Sequence, residues 1–414
     1  MTKIKMSSQR YDKIILILVV CTSLFLSLLS FALWPVFLIQ LRYLWSLSNV
    51  EIGLISGSYF FGYVIATPIL VGLTDKFDAK WIFILGCFGA ALGNLGFVFL
   101  VDEFWEAIFF WTLVGAGLAG TYMPGLQILN SRLNNYDRIS AVPWYTSCFG
   151  LGTGGSYFAM GLMLANFDYR TAALLSTFAL LISIVTILLC VNSKPMKAKI
   201  GSVIRHPFDF RPVFKKRKSM SYILAYGAHT YELFAYRSWS VALFFFLGNN
   251  GTKSLTIEKI TIIISLIMWT GMIASVLGAK LAQKYNRHNI LASIGLFTFF
   301  IAIIGAIFAN VALSLAIAIL WFYNFFIMLD SGALTAGAVE SSDPDNRGAV
   351  LAVHSMVGFT GGALGGPLIG MILDFFGGES LLFAWQVSLT TMGLGSLVVF
   401  LIQIRFRSKF DRLN

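Results

Sequence analysis

Leu73-Thr74-Asp75-Lys76-Phe77-Asp78 returns 208 residues later as Leu281-Ala282-Gln283-Lys284-Tyr285-Asn286. Each copy follows a long apolar run, at 51–74 and at 257–282. The runs also begin alike: Ser46-Leu47-Ser48 precedes the first and Ser254-Leu255-Thr256 the second. Further on, Arg138 and Gly161 return as Arg347 and Gly370. Three matches at a spacing near 208, at matching places, read as two copies of one unit. A membrane-spanning helix needs about 20 apolar residues. On that measure the first half offers spans at 14–40, 51–74, 81–101, 106–131, 140–165 and 170–192. The second offers spans at 219–247, 257–282, 289–310, 312–338, 348–374 and 380–404. Six spans per half keep both copies in one orientation, which is a parallel repeat about an axis along the membrane normal. The expected fold is an all-α integral membrane protein, with twelve transmembrane helices in two pseudo-symmetric six-helix bundles. The expected division is a tail at 1–13, bundles at 14–192 and 219–405 joined by a basic linker at 193–218, and a tail at 406–414.

Composition agrees. Hydrophobic residues make up 57% of the 414 and charged residues only 12%, about half the charge of a soluble domain. Mean hydropathy is +0.79. A soluble fold cannot hide that much apolar surface from water. Cys21, Cys87, Cys148 and Cys190 each lie inside an apolar run, so they read as small buried hydrophobes with no disulfide frame and no metal site. The segment before the first run is short and basic and has no Ala-x-Ala cleavage pattern, so that run reads as a first span and not a removed signal.

The net charge of +11 comes from Lys and Arg in the gaps between spans. Nucleic-acid binding would need them gathered on a folded soluble face. Numbering the spans puts both termini and every even-numbered gap on one side, with 25 of the 30 basic residues; nine of these are in 193–218. The other side has Arg42, Arg170, Lys253 and Lys259. Basic residues stay in the cytoplasm, so both termini are expected there. A cell membrane, in the bacterial case the inner one, is the expected location. The linker is expected to rest on anionic lipid.

Gly72-Leu73-Thr74-Asp75-Lys76-Phe77-Asp78-Ala79-Lys80, between spans 2 and 3, resembles the loop signature of the major facilitator superfamily, roughly G-x-L-A-D-R-x-G-R-K. Leu73, Asp75, Lys76 and Lys80 match, while Val71 replaces the first glycine and Asp78-Ala79 the usual Gly-Arg. The resemblance implies a secondary transporter, not an enzyme, that acts as a monomer in the bilayer on a small-molecule substrate, with no cofactor. It also implies a gate in which Asp75 closes against the start of span 11. There Arg347-Gly348 open a helix whose free N–H groups attract a carboxylate. Lys76 and Lys80, with Lys284 in the second copy, complete the gating set; Gln283 replaces Asp75 in that copy. Gly227-Ala228-His229-Thr230-Tyr231-Glu232-Leu233-Phe234-Ala235 is similar to a segment of some bacterial permeases grouped with cyanate and nitrate carriers, which implies an anion or small organic acid.

Ionisable groups at membrane depth are costly and functional by default. Span 7 holds His229, Glu232 and Arg237. His229, Glu232 and Tyr236 are spaced i, i+3, i+7 and share one helix face. Arg237 lies about 140° round the axis from Glu232, so a direct pair on one helix is disfavoured. Span 10 adds Asp330, whose repeat mate is Tyr122 of span 4. In the superfamily that this chain resembles, spans 1, 4, 7 and 10 line the central cavity. The substrate-binding set is then Arg237, His229, Tyr236, Tyr122, Gln127 and Trp34, and Glu232 or Asp330 carries the coupling proton. Trp34-Pro35 can kink span 1. His354 reads as a packed structural histidine.

Glycines set the packing. Gly358, Gly362, Gly366 and Gly370 recur every four residues in span 11, with pairs at Gly53 and Gly57 in span 2 and at Gly150 and Gly154 in span 5. Small residues four apart let helices approach closely. The resemblance places these spans at the seam between halves. Export of amphipathic compounds is the second reading, on the aromatic content of 15%. A membrane sensor would need a soluble output domain, and the longest soluble stretch is 193–218. No nucleotide loop, nucleophile motif or metal-ligand spacing stands out.

Overall fold

Helix starts recur with the repeat. In a computed structural model, which describes residues 2–74, 76–194, 210–249, 255–343 and 347–410, the repeated polar residues are N-caps. Ser48 caps the helix Asn49–Leu73 by accepting from the Glu51 amide, and Thr256 caps Ile257–Lys284 by accepting from Lys259. Asp78 caps Ala79–Phe99, and Asn286 caps Arg287–Phe308. A cap satisfies amides that the helix leaves free, which accounts for Ser/Thr and Asp/Asn at these places.

The first half contains α1 (Thr2–Ser27), α2 (Leu33–Trp45), α3 (Asn49–Leu73), α4 (Ala79–Phe99), α5 (Phe104–Arg132), α6 (Asn135–Asn166) and α7 (Tyr169–Cys190). The short α8 (Arg211–Lys215) precedes the second half. That half contains α9 (Arg217–Asn249), α10 (Ile257–Lys284), α11 (Arg287–Phe308), α12 (Leu313–Glu340), α13 (Arg347–Phe375) and α14 (Leu382–Phe410). The described residues form no strand. Among the described residues, ten helices, α3 to α7 and α10 to α14, are long and apolar enough to cross a membrane. The other two crossings are the polar α9 and the broken pair α1–α2. The chain is a twelve-helix, multi-pass membrane protein.

Span 1 breaks before its Trp-Pro pair. Residues 28–32 form a turn, and α2 begins at Leu33, with Pro35 in its first turn where no helical N–H is lost. Ser156 of α6 bridges the break: its hydroxyl accepts from the Ala32 amide at 2.8 Å and donates to the Leu29 carbonyl at 2.6 Å.

Within the first half, α4 packs on α5 and α7, α3 on α5, and α1 on α6 and α7. In the second, α11 packs on α12 and α14, and α9 on α12, α13 and α14. The equivalent joints use equivalent residues. Lys80, near the start of α4, donates to the Leu188 and Val191 carbonyls at the end of α7. Its repeat mate His288, near the start of α11, contacts Gln403 of α14 at 2.7 Å and the Tyr222 hydroxyl at 3.1 Å. The Asp78–Arg132 pair at 2.6 Å in the first half becomes Arg287–Glu340 at 2.8 Å in the second. Arg132 and Glu340 are repeat mates, so the joint is kept with its charges exchanged.

The halves meet along α3–α13, α6–α10 and α2–α9. Most of the glycines named above lie on these contacts, while Gly358 packs against Tyr226 of α9 within the second half. A methyl on Gly53 would strike the Gly366 carbonyl, one on Gly57 the Ala363 carbonyl, and one on Gly370 the Asn49 carbonyl. On α6, Gly150 faces Met272 and Gly154 faces Trp269 of α10.

Candidate functional site

α9 presents two faces with different company. His229, Glu232 and Tyr236 do share a face, and that face meets α12 inside the second half. His229 Nδ1 lies 2.7 Å from Asp330 Oδ1, with both side chains buried. Tyr323 donates to Glu232 at 2.8 Å, and the Ser396 hydroxyl of α14 donates to the other carboxylate oxygen. The Tyr236 hydroxyl reaches the Leu320 carbonyl at 3.4 Å, and its ring meets Tyr323 edge-on. Glu232 and Tyr236 therefore lie among α9, α12 and α14.

Arg237 looks the other way, as its offset around the helix requires. It lines a narrow cavity between the halves, together with Phe31, Trp34, Tyr59, Phe60, Trp111 and Tyr157. The guanidinium lies 5.7 Å from the Phe234 ring centre and 4.0 Å from Met328 Sδ. Its Nε is buried without a hydrogen-bond partner, and among the described residues no carboxylate is within ion-pair distance. Arg237 is 5% exposed. A buried cation in this state is costly, and an anion is the group that would relieve it.

Trp34 is in the cavity wall as read from the sequence. Its Nε1 donates to the Ile52 carbonyl at 3.2 Å and to Ser56 Oγ at 3.0 Å. Tyr122 is half-buried, stacked on Tyr145 within the first half, and Gln127 is exposed; neither lines this cavity. The sequence reading missed Phe31, Tyr59, Phe60, Trp111 and Tyr157. Aromatic residues in a membrane helix face lipid as readily as a cavity, so type and spacing gave no signal.

About two helical turns from Arg237, the Asp330–His229 pair borders a second histidine. The Tyr226 ring stacks on His354 at 3.8 Å and lies 5.4 Å from His229. His354 Nε2 contacts Thr335 Oγ1 at 3.1 Å, while His229 Nε2 and His354 Nδ1 have no partner.

At the end away from the termini, the halves are bridged. Arg42 of α2 pairs with Glu379, in the turn after α13. The Asn49 side chain donates to Asp374 at 2.7 Å and to Glu379 at 3.0 Å, and the Val50 amide donates to Asp374 at 2.8 Å. Burial raises the Glu379 carboxyl, but the bonds from Arg42 and Asn49 outweigh it and leave it below its usual range. At the termini end, Lys13–Asp137, Asp78–Arg132 and Arg287–Glu340 each close within one half. Burial also raises Asp78, and the bonds from Arg132, Lys194 and Lys80 outweigh it. Of the gating set, Asp75 lies outside the described residues. Lys80 is buried on the carbonyls of α7, Lys284 lies over the Tyr285 ring, and Lys76 and Arg347 are exposed.

The profile of the Major Facilitator Superfamily matches residues 15–335. No curated protein matches the chain. Among solved structures, the nucleoside transporter NupG superposes with a TM-score of 0.73 at 15% identity, covering 95% of this chain and 98% of that one. A bacterial homologue of the human lysosomal transporter Spinster, inward-facing and unoccupied, gives 0.74 at 16% identity, covering 96% and 98%. A D-xylose-proton symporter gives 0.72 at 15% identity, covering 94% and 97%. These identities carry the fold and no substrate. With six membrane crossings in each half, a glycine-lined seam and a profile match over most of its length, this chain belongs to the Major Facilitator Superfamily and is a membrane transporter, not an enzyme.

Proposed function

We propose that this transporter moves a small anionic solute by alternating access, coupled to protons. The observation that carries the reading is Arg237, buried in a cavity between the halves without an anionic partner among the described residues. Its planar fork suits a carboxylate or another oxyanion. Asp330, 2.7 Å from His229 across α12 and α9, carries the coupling proton together with that histidine, since ionisable groups at membrane depth are functional by default. Both residues sit close to the cavity but not in its wall. Glu232, the other carboxylate read from the sequence, already receives two hydroxyl bonds and acts as a fixed polar bridge or as a second proton site. The D-xylose-proton symporter among the similar folds supports symport as a mechanism available to this architecture.

The basic asymmetry places the termini end in the cytoplasm. On that orientation the Arg42–Glu379 and Asn49–Asp374 contacts close the extracellular side. Asp75, with Lys76 and Arg347, serves the cytoplasmic gate, which closes in the opposite state. The protein works as a monomer, since one chain contains both halves of the cavity. The aromatic walls also suit export of an amphipathic compound, which is the second reading.

A thermal-shift screen of the purified protein against small anions and their neutral analogues tests the anion assignment. Stabilisation by anions that is reduced in Arg237→Lys supports it. Stabilisation by neutral or cationic solutes alone, undisturbed by Arg237→Ala, contradicts it and favours the exporter. Impermeant thiol labelling of cysteines placed at Ser193 and Ser380 in intact cells tests the orientation, and only Ser380 should react.

A further inference from the structure

We infer that the solute is a monoanion with a flat apolar body, such as an aromatic or unsaturated monocarboxylate or monosulfonate. This rests on the reading of Arg237 as the anion site and names what the remainder of the cavity accepts. Among the described residues, Arg237 is the one charged residue lining the cavity. A second negative charge on the solute would have no counter-charge there and would bear its full desolvation cost. The solute charge that matches is therefore −1.

The walls set the body. Phe31, Trp34, Tyr59, Phe60 and Trp111 surround the space in front of Arg237. Phe31 and Tyr59 meet edge to face at 5.5 Å, and Tyr59 and Trp111 lie 5.2 Å apart. Rings in mutual contact form a fixed surface against which a planar group packs at little entropic cost. Three polar groups among these walls are engaged within the protein. The Trp34 indole N–H is taken by Ile52 and Ser56, the Ser56 hydroxyl donates to the Ile52 carbonyl at 3.1 Å, and the Tyr157 hydroxyl donates to the Arg237 carbonyl at 2.7 Å. A sugar or a nucleoside ribose needs several free partners for its hydroxyls, and an unpaired hydroxyl is costly in such a site.

The test uses the full-length protein in lipid nanodiscs, with binding read by calorimetry and by quenching of the tryptophan fluorescence. The probes are benzoate and benzenesulfonate, their small-bodied counterparts acetate and methanesulfonate, and neutral benzamide. Benzoate and benzenesulfonate should each bind about tenfold or more tighter than their small counterparts, because burying a ring adds that much. Arg237→Gln should weaken the ring anions about tenfold or more. Equal affinity for ring and small anions, with Arg237 still required, would overturn the apolar body and leave the anion reading intact. Benzamide binding as tightly as benzenesulfonate would overturn the anion reading itself, and this comparison needs only the wild-type protein. Failure of all four anions to bind would overturn both.

Discussion

His229 Nδ1 lies 2.7 Å from the carboxylate of Asp330, joining α9 to α12 in the interior of the second half. The contact unites residues 101 positions apart, and both side chains are at most 3% exposed. Asp330→Asn keeps the shape and an acceptor oxygen but cannot take up a proton. It is expected to preserve folding and solute exchange while abolishing uphill accumulation driven by a pH gradient. Counterflow and gradient-driven uptake, measured on the same proteoliposomes, separate the two.

Glu232 makes a different prediction. Its partners Tyr323 and Ser396 hold it between helices, and leaving a buried polar group unsatisfied costs about 1–3 kcal/mol. Tyr323→Phe and Ser396→Ala should each lower the thermal unfolding temperature while leaving solute affinity within about twofold of wild type, since neither residue lines the cavity. A loss of affinity with unchanged unfolding would place Glu232 in the binding site.

The bridge at the end away from the termini should respond to pH only in acid. The Glu379 carboxyl is held below its usual range, so its contribution to closure is complete above the ordinary carboxylate value of about 4.3. It is lost only as pH falls through the lowered one. Spin labels across that end should give one distance distribution from about pH 5 to 8. Glu379→Gln combined with Asp374→Asn should shift that distribution to longer distances at every pH in this range.

The seam tolerates no added bulk. Any side chain at Gly53 or Gly370 meets a backbone carbonyl of the facing helix. Gly53→Val should leave a folded protein in which α3 and α13 stand apart at the end away from the termini, biased toward opening there. Spin-label distances across that end, with transport rate as a second readout, check this. An unchanged distribution would show that the two helices need not approach so closely.

Much of the fold was legible in the sequence because it is written in patterns that are local. Span length, the repeat of 208 residues and the glycine spacing are all read without knowing which helix meets which. The structure adds why the repeated residues recur: Ser48, Thr256, Asp78 and Asn286 are helix caps. The wheel of α9 correctly separated Arg237 from Glu232. It gave no way to tell which side faces the cavity and which faces α12, because that depends on packing between helices. The break at residues 28–32 was read a few residues late, at Trp34-Pro35, because its support comes from Ser156 on a distant helix. The cavity aromatics could not be told from lipid-facing ones by composition. The exchange of charges between Asp78–Arg132 and Arg287–Glu340 hid the likeness of those joints in a sequence match that looks for identity.

The proposed transport cycle rests on an anion held at Arg237 and a proton carried by the Asp330–His229 pair. It is tested most directly by accumulation in proteoliposomes, using whichever of benzenesulfonate and methanesulfonate binds more tightly. Both stay ionised at every working pH and so do not cross the bilayer as neutral acids. An imposed proton gradient should drive wild-type protein to concentrate the sulfonate against its own gradient. Collapsing the proton gradient should stop this, Arg237→Gln should prevent uptake, and Asp330→Asn should exchange without concentrating. Concentration by Asp330→Asn equal to wild type, or uptake by Arg237→Gln at the wild-type rate, would contradict this cycle.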